Sequence, residues 1–596
     1  MGSTVFSMST SLNSQSHPSS TGYGTMATSS RDSKDSISKH PQDSHEGPHT
    51  HYDPEQPTLA HAEDGRDDRA RLHRGLSSRQ VSMIAIAGTI GTGLFLGTGR
   101  SLATGGPASI LICYTIVGFI VYITLLLLGE MATQYPVAGS FNAYAVRFFS
   151  PSYGFALSWN YWFNDAVSVA GDLTAAQMLL SYWTPNHLWA ISVCFWFFLV
   201  GVNSIHVKAY GELEYWLSLL KIVTIVVFII MGVLVNVGVN SDGRYIGSSN
   251  WRIEGAPFVG GFSGFASVFV TASFAYGATE SLGITAGETK NPSKNMPRVI
   301  KMVFWRIILF YLISVLLIGL NVPHNYPNLS NKSVTTSPFT IVFQEAGSKA
   351  AASFMNTVIM TSVLSAGNHA LYAGTRVLYG LSTAVPTRQA PKIFSWTTAN
   401  GVPLPALLAT SSISALCFGS SYIGSGQLWS WLQNLVGVSN QIAWISIGLA
   451  SWKFRAAWQK QGHSMDELKF SPKWTRGWGA PFVVITTTAI LLIQGWHSIF
   501  PVFTPIDFVS YYVQIPIMTV MSLGWLWTRG LLGRGVNGAG TKRRTWWHHD
   551  FVDGKIVDLV RDQYEEQEED HEEEELREKR RGGRGGWLWR AYYLFA

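Results

Sequence analysis

Between residues 80 and 530 the chain returns repeatedly to apolar stretches of about twenty residues, the length a helix needs to cross a bilayer core. Window reading marks twelve: 80–103, 107–131, 153–182, 188–205, 213–238, 259–287, 299–322, 350–382, 404–421, 427–453, 480–499 and 508–530. In lipid, backbone polar groups have to be satisfied internally, and stretches of this length do so as helices. The expectation is an all-α membrane protein with twelve transmembrane helices. Composition agrees. Charged residues make up only 13% of the chain, about half the usual globular share. The 23 Trp, 23 Tyr and 32 Phe suit aromatic belts at the lipid–water boundaries.

The loops set an orientation. With the N-terminus inside, the inner loops collect fourteen lysines and arginines from Arg147 to Arg476. The outer loops hold only Arg100, Arg244, Arg252, Lys332 and Lys349. This follows the positive-inside rule and places both termini in the cytosol. The net charge of +6 therefore reports topology rather than nucleic-acid binding. Residues 1–79 are rich in Ser, Thr, Pro, His and Asp, which predicts a disordered cytosolic tail with no cleavable signal peptide. A twelve-span domain follows over 80–533, then a charged cytosolic tail over 534–596. Its acidic run at 565–581 reads as a solvated segment, or alternatively as a docking site for trafficking machinery such as a ubiquitin ligase. The sequons Asn328-Leu-Ser330 and Asn331-Lys-Ser333 fall in an outer loop, where glycosylation is open. Cys113, Cys194 and Cys417 show neither metal nor disulfide spacing. No nucleophile–base motif or nucleotide loop is visible, so the reading is neither an enzyme nor a cofactor protein.

The first apolar run contains IAGTIGTGLFLGTG (86–99), with glycines at Gly88, Gly91, Gly93, Gly97 and Gly99. Gly91-Thr92-Gly93 lets a helix give up hydrogen bonds at little conformational cost. Broken backbone at membrane depth survives only where it lines a cavity or is buried in protein. The stretch therefore reads as a discontinuous helix holding a ligand, the other reading being close helix packing through Gly93 and Gly97. The sixth run repeats the pattern, with a break at Ala275–Ala278, and the third and eighth runs are both long. Two broken helices five spans apart point to an inverted-repeat transporter.

Charged side chains at a helix centre cost about 2.5–3.5 kcal/mol on insertion scales, so those found there carry meaning. Asp165 and Asp172 in the third run stand two turns apart on one face, about 10 Å along the axis, with Ser168 between them. Asp172 is too deep for its short side chain to reach water, so it lines a cavity or meets a partner. Lys221 lies about 12 Å inside the fifth run, where it either snorkels or exchanges protons. Glu280, just past the second break, is the third ionisable candidate. Glu130 reads as a helix-end or gate contact, and His206, His369 and His497 as packing residues.

Seven stretches carry a family resemblance: SMIAIAGTIGTGLFLGTG (82–99), GGPASILICY (105–114), LGEMATQYPVAGSF (128–141), LSWNYWF (157–163), YGELEYWLSLLKI (210–222), TAGETKNPSKNMPRVIK (285–301) and VPLPALL (402–408). They resemble the fungal amino-acid permeases of the yeast amino-acid transporter family, within the amino acid–polyamine–organocation superfamily. The likeness covers roughly 75–530 plus the acidic, aromatic-ended tail. It implies the fold of the bacterial leucine transporter: five plus five inverted spans and two more, with helices 1 and 6 discontinuous. It further implies that backbone groups of Thr89, Ile90, Gly91, Thr92 and Gly93 bind the substrate carboxylate, helped by the helix dipole. Ala275, Tyr276 and Gly277 would supply acceptors for the α-amino group, with Phe274 and Tyr276 as aromatic gate or wall. Lys221 matches the lysine of proton-coupled relatives, where an ammonium replaces a sodium ion.

The chain departs from that family twice. Ala278 stands where a glycine is usual, which predicts a tightened pocket. Asp165 stands where relatives commonly carry a large aromatic. Two carboxylates on one face favour a cationic substrate. The expected function is a proton-coupled permease that imports amino acids across the plasma membrane, leaning towards cationic or broad-range substrates. The alternatives are a transporter-like nutrient sensor, or a carnitine or polyamine transporter. Polyamines lack the carboxylate that the first break would hold.

Overall fold

The computed structural model describes residues 88–564 apart from 138, 185, 206, 287–290, 328, 330–335, 384–387 and 532–549. The tail 1–79, His206, both sequon asparagines, the basic group at 534–544 and the acidic run at 565–581 lie outside those residues. Among the described residues every regular element is a helix.

The first, α1 (Gly93–Gln134), has 42 residues, about 63 Å at 1.5 Å per residue, twice the thickness of a bilayer core. Gly106 resolves the mismatch. Its φ of 82° belongs to the region that favours glycine, and Pro107 after it has no N–H to donate to the preceding turn. The helix kinks there, at the boundary between the apolar runs 80–103 and 107–131.

The helices that follow among the described residues include α2 (Pro151–Leu180), α3 (Leu188–Ile205), α4 (Val207–Asn236), α5 (Gly261–Ala275), α6 (Ser281–Ala286), α7 (Pro292–Asn321), α8 (Pro338–Glu345), α9 (Lys349–Thr383), α10 (Leu404–Ile423), α11 (Ser425–Lys460), α12 (Gly479–Ile499), α13 (Pro505–Tyr512) and α14 (Gln514–Leu531). Among the described residues, seven qualify as membrane spans by length and apolarity alone: α1, α3, α4, α7, α9, α10 and α12. The pair α13 and α14, bent by 50°, makes an eighth. The long helices left out are instructive. α2 and α11 carry buried polar side chains along much of their length, including Asn160, Asn164, Asp165, Asp172, Asn440 and Gln441.

Those polar helices form the centre. α2 packs along α9 and α11, and α1 packs along α5. The α2–α9 seam runs over glycines. A methyl group on Gly374 would lie 2.9 Å from the Asp165 Cβ, and one on Gly367 would lie 3.4 Å from the Asp172 Cβ. The seven-residue spacing of the two acids is thus matched by a seven-residue spacing of small residues on the facing helix. The outside is apolar instead, with Phe197, Trp216, Phe354 and Trp527 each at least 60% exposed.

One end of the bundle is closed by a buried ion pair. Arg455 of α11 donates through Nε and Nη2 to the two Glu130 oxygens at 2.7 and 3.0 Å, and through Nη1 to the Thr475 and Arg476 carbonyls. Glu130 is therefore a helix-end contact, as its position predicts. Arg455, counted above among loop charges, is a buried helix residue. Residues 550–564, expected to belong to the tail, lie against the same end. Tyr564 N–H donates to the Gln134 carbonyl at 3.0 Å, Tyr135 Oη to the Leu559 carbonyl at 2.8 Å, and Arg147 to the Asp558 carbonyl at 2.7 Å.

Candidate functional site

Two interruptions in helical backbone meet at the centre. The chain is helical at Gly88–Thr89, bends at Ile90–Gly91, and is helical again from Thr92 into a widened turn at Gly93–Gly97. α5 stops at Ala275, residues 276–280 form turns, and α6 starts at Ser281. The two segments touch backbone to backbone, because a Cβ on Gly93 would lie 2.4 Å from the Ala275 Cα. Only a residue without a side chain permits that approach. α9 closes the site behind the first segment, with Ala366 next to Gly91 and the His369 ring next to Gly88.

An ionisable cluster adjoins the first bend. Thr92 Oγ1 donates to Asp172 Oδ1 at 2.9 Å, which ties α2 to the residue where the helix resumes. Lys221 is fully buried and lies within electrostatic reach of Asp172, Glu214 and His369. It does not snorkel. Glu214 accepts hydrogen bonds from Ser365 Oγ and Asn368 Nδ2, and Asn203 Nδ2 donates to the Asn368 oxygen at 2.7 Å. His369 is bonded at both ring nitrogens, to the Tyr210 hydroxyl at 3.1 Å and the Ser281 hydroxyl at 2.8 Å. It therefore joins this cluster through directed bonds, more than the packing role expected of it.

The second segment has its own acid. Glu280 is fully buried and accepts from Tyr161 Oη at 2.9 Å, Trp444 Nε1 at 3.0 Å and Thr279 Oγ1 at 3.3 Å. Asp165 is within electrostatic reach of Glu280, and its Oδ2 has no hydrogen-bond partner among the described residues. The two acids of α2 are thereby divided: Asp172 sits with Lys221, and Asp165 with Glu280. The aromatic pair is divided as well. Phe274 packs edge-on to Trp429 at 6.3 Å, beside Val167 and Ala170 of α2. Tyr276 faces the other way, stacked on Tyr311 at 4.3 Å and tilted against Tyr114 at 5.9 Å. Ser168 is half-buried on α2, Ile90 is buried, and Gly277 backs onto the Asn440 side chain.

Ala278 has a φ of 61°, in the left-handed region that L residues avoid. Glycine adopts that conformation without the Cβ penalty that the alanine carries. Sequence reasoning missed Glu214, which stands two turns before Lys221 on the same helix but at the very start of the fifth apolar run. It also missed Tyr161, Trp444 and Tyr311, whose polar atoms look like ordinary aromatic content until the fold shows what they reach.

The amino acid permease family model matches residues 80–531. The chain belongs to the amino acid permease family. A probable amino-acid permease of Schizosaccharomyces pombe is 43% identical over 472 residues, covering 76% of this permease and 92% of that one. The lysine-specific permease of Escherichia coli is 41% identical over 468 residues, covering 77% and 94%. The general amino-acid permease of Candida albicans is 41% identical over 466 residues, covering 77% and 79%. This permease is thus a multi-pass membrane transporter and not an enzyme.

Proposed function

We propose that the permease imports amino acids across the plasma membrane, coupled to protons and leaning towards cationic side chains. The observation that carries this reading is the Thr92–Asp172 hydrogen bond, which joins an acid to the first break beside a buried lysine. In this reading the N–H groups of Gly91–Gly93 take the substrate carboxylate, as helix N-termini favour anions. Carbonyls at Ala275–Gly277 take the α-ammonium. Asp172 and Asp165 offer negative charge to a basic side chain, and Lys221 carries the coupling proton, with Glu280 as the second proton-handling group. The relatives named for lysine and for general amino-acid transport fit such a substrate range.

The architecture goes with it: α1 supplies two spans, α5 with α6 one, α13 with α14 one, and the other long helices eight more. This gives twelve, arranged as five plus five inverted and two, with helices 1 and 6 discontinuous. Both termini face the cytosol, and the tails outside 80–533 are available to trafficking machinery.

Competition of a panel of amino acids, carnitine and a polyamine against labelled lysine tests the substrate reading in the wild type and in Asp172→Asn. Lysine and arginine should compete best in the wild type, and the variant should weaken them about tenfold more than neutral amino acids. Equal losses across the panel would make Asp172 structural.

A further inference from the structure

We infer that the Tyr311 hydroxyl positions two backbone carbonyls, those of Ala275 and Thr89, to receive the substrate's α-ammonium, so that the Thr89 carbonyl serves the ammonium and not the carboxylate. Tyr311 is 2% exposed and stands on the widened turn Ile307–Leu312 of α7. Turns of this kind occur often at functional sites. Its hydroxyl donates to the Ala275 carbonyl at 2.8 Å and also makes a hydrogen bond to the Thr89 carbonyl. Ala275 is the last residue of α5, so its carbonyl lies among those that a helix end leaves without an intrahelical partner. Thr89 is the last helical residue before the first bend. One side chain from a third helix therefore touches both interruptions.

The donor count shows what this arrangement lacks. A hydroxyl has one proton, and here two carbonyls share it. An ammonium brings three donors and a full charge, and charge-assisted hydrogen bonds are roughly twice as strong as neutral ones. Two carbonyl oxygens and the phenolic oxygen thus converge where an ammonium is a better partner than a hydroxyl. The Tyr276 ring, stacked on Tyr311 at 4.3 Å with an interplanar angle of 25°, holds the phenol in line. This also gives Tyr276 a role as the plate behind Tyr311. The tyrosine sets the distance between the breaks, and the ammonium then binds to both at once.

The inference deepens the transport reading and rests on it. Tyr311→Phe removes the hydroxyl and keeps the stacking ring. Affinities are measured by competition in the full-length wild type and variant for two pairs of ligands: lysine with 6-aminohexanoate, and leucine with 4-methylpentanoate. The second member of each pair lacks the α-ammonium. The variant should elute as a single species on size exclusion and lose about tenfold in affinity for lysine and leucine. It should lose less than twofold for the two analogues. Unchanged lysine and leucine affinity, or an equal loss for amino acids and analogues, would overturn the assignment and leave the transport reading standing. A wild type that binds neither lysine nor leucine would overturn the transport reading, and this assignment with it.

Discussion

The two interruptions at the centre are held open by different means. The first relies on what is missing: Gly93 lets the backbone of Ala275 approach, and Gly91 lets α9 approach. The second relies on what is present. Glu280 takes three hydrogen bonds from Tyr161, Trp444 and Thr279, and Ala278 is held in a left-handed conformation. The first segment is pinned mainly by sterics, with side-chain bonds from Thr92 to Asp172 and from Tyr311 to the Thr89 carbonyl, whereas the second is pinned by a saturated polar network. A pair of this kind suits an element that adjusts to a ligand beside one that serves as its fixed reference.

Three substitutions break or sharpen that contrast. The largest effect is expected from Gly93→Ala. A Cβ 2.4 Å from the Ala275 Cα cannot be accommodated without parting the two segments, and overpacking of this kind costs about 1–3 kcal/mol or more. Uptake should fall below detection and the thermal midpoint in detergent should drop. Wild-type uptake would show that the close approach is dispensable. Next comes Glu280→Gln, which turns one acceptor into a donor facing Tyr161 or Trp444. It should destabilise by about 1–3 kcal/mol, read as a lowered midpoint on thermal unfolding. The smallest effect is Ala278→Gly. Relieving a φ of 61° should stabilise by about 1 kcal/mol, raising the midpoint slightly. A lowered midpoint would mean that the alanine methyl contributes packing that outweighs its strain.

Much of the centre was legible in the sequence because its signals are local. Glycines clustered in an apolar run, carboxylates seven residues apart in another, and a lysine deep in a third are each visible without a fold. What stayed hidden depends on partners far along the chain. Arg455 reads as a loop charge until Glu130, 325 residues away, is placed opposite it. Tyr311 is one aromatic among many until its hydroxyl is seen between Thr89 and Ala275. Glu214 was hidden by a boundary, since hydropathy windows blur at the ends of a run. The lost glycine at Ala278 was legible, but the left-handed backbone at that position was not.

The central claim is that the buried lysine beside the first break couples transport to protons. Uptake of labelled lysine into proteoliposomes, with and without an imposed proton gradient, tests it in Lys221→Met. The account predicts that gradient-driven accumulation is lost, that exchange of internal for external lysine partly survives, and that uptake no longer responds to external pH. Accumulation with an unchanged pH dependence in the variant would contradict it.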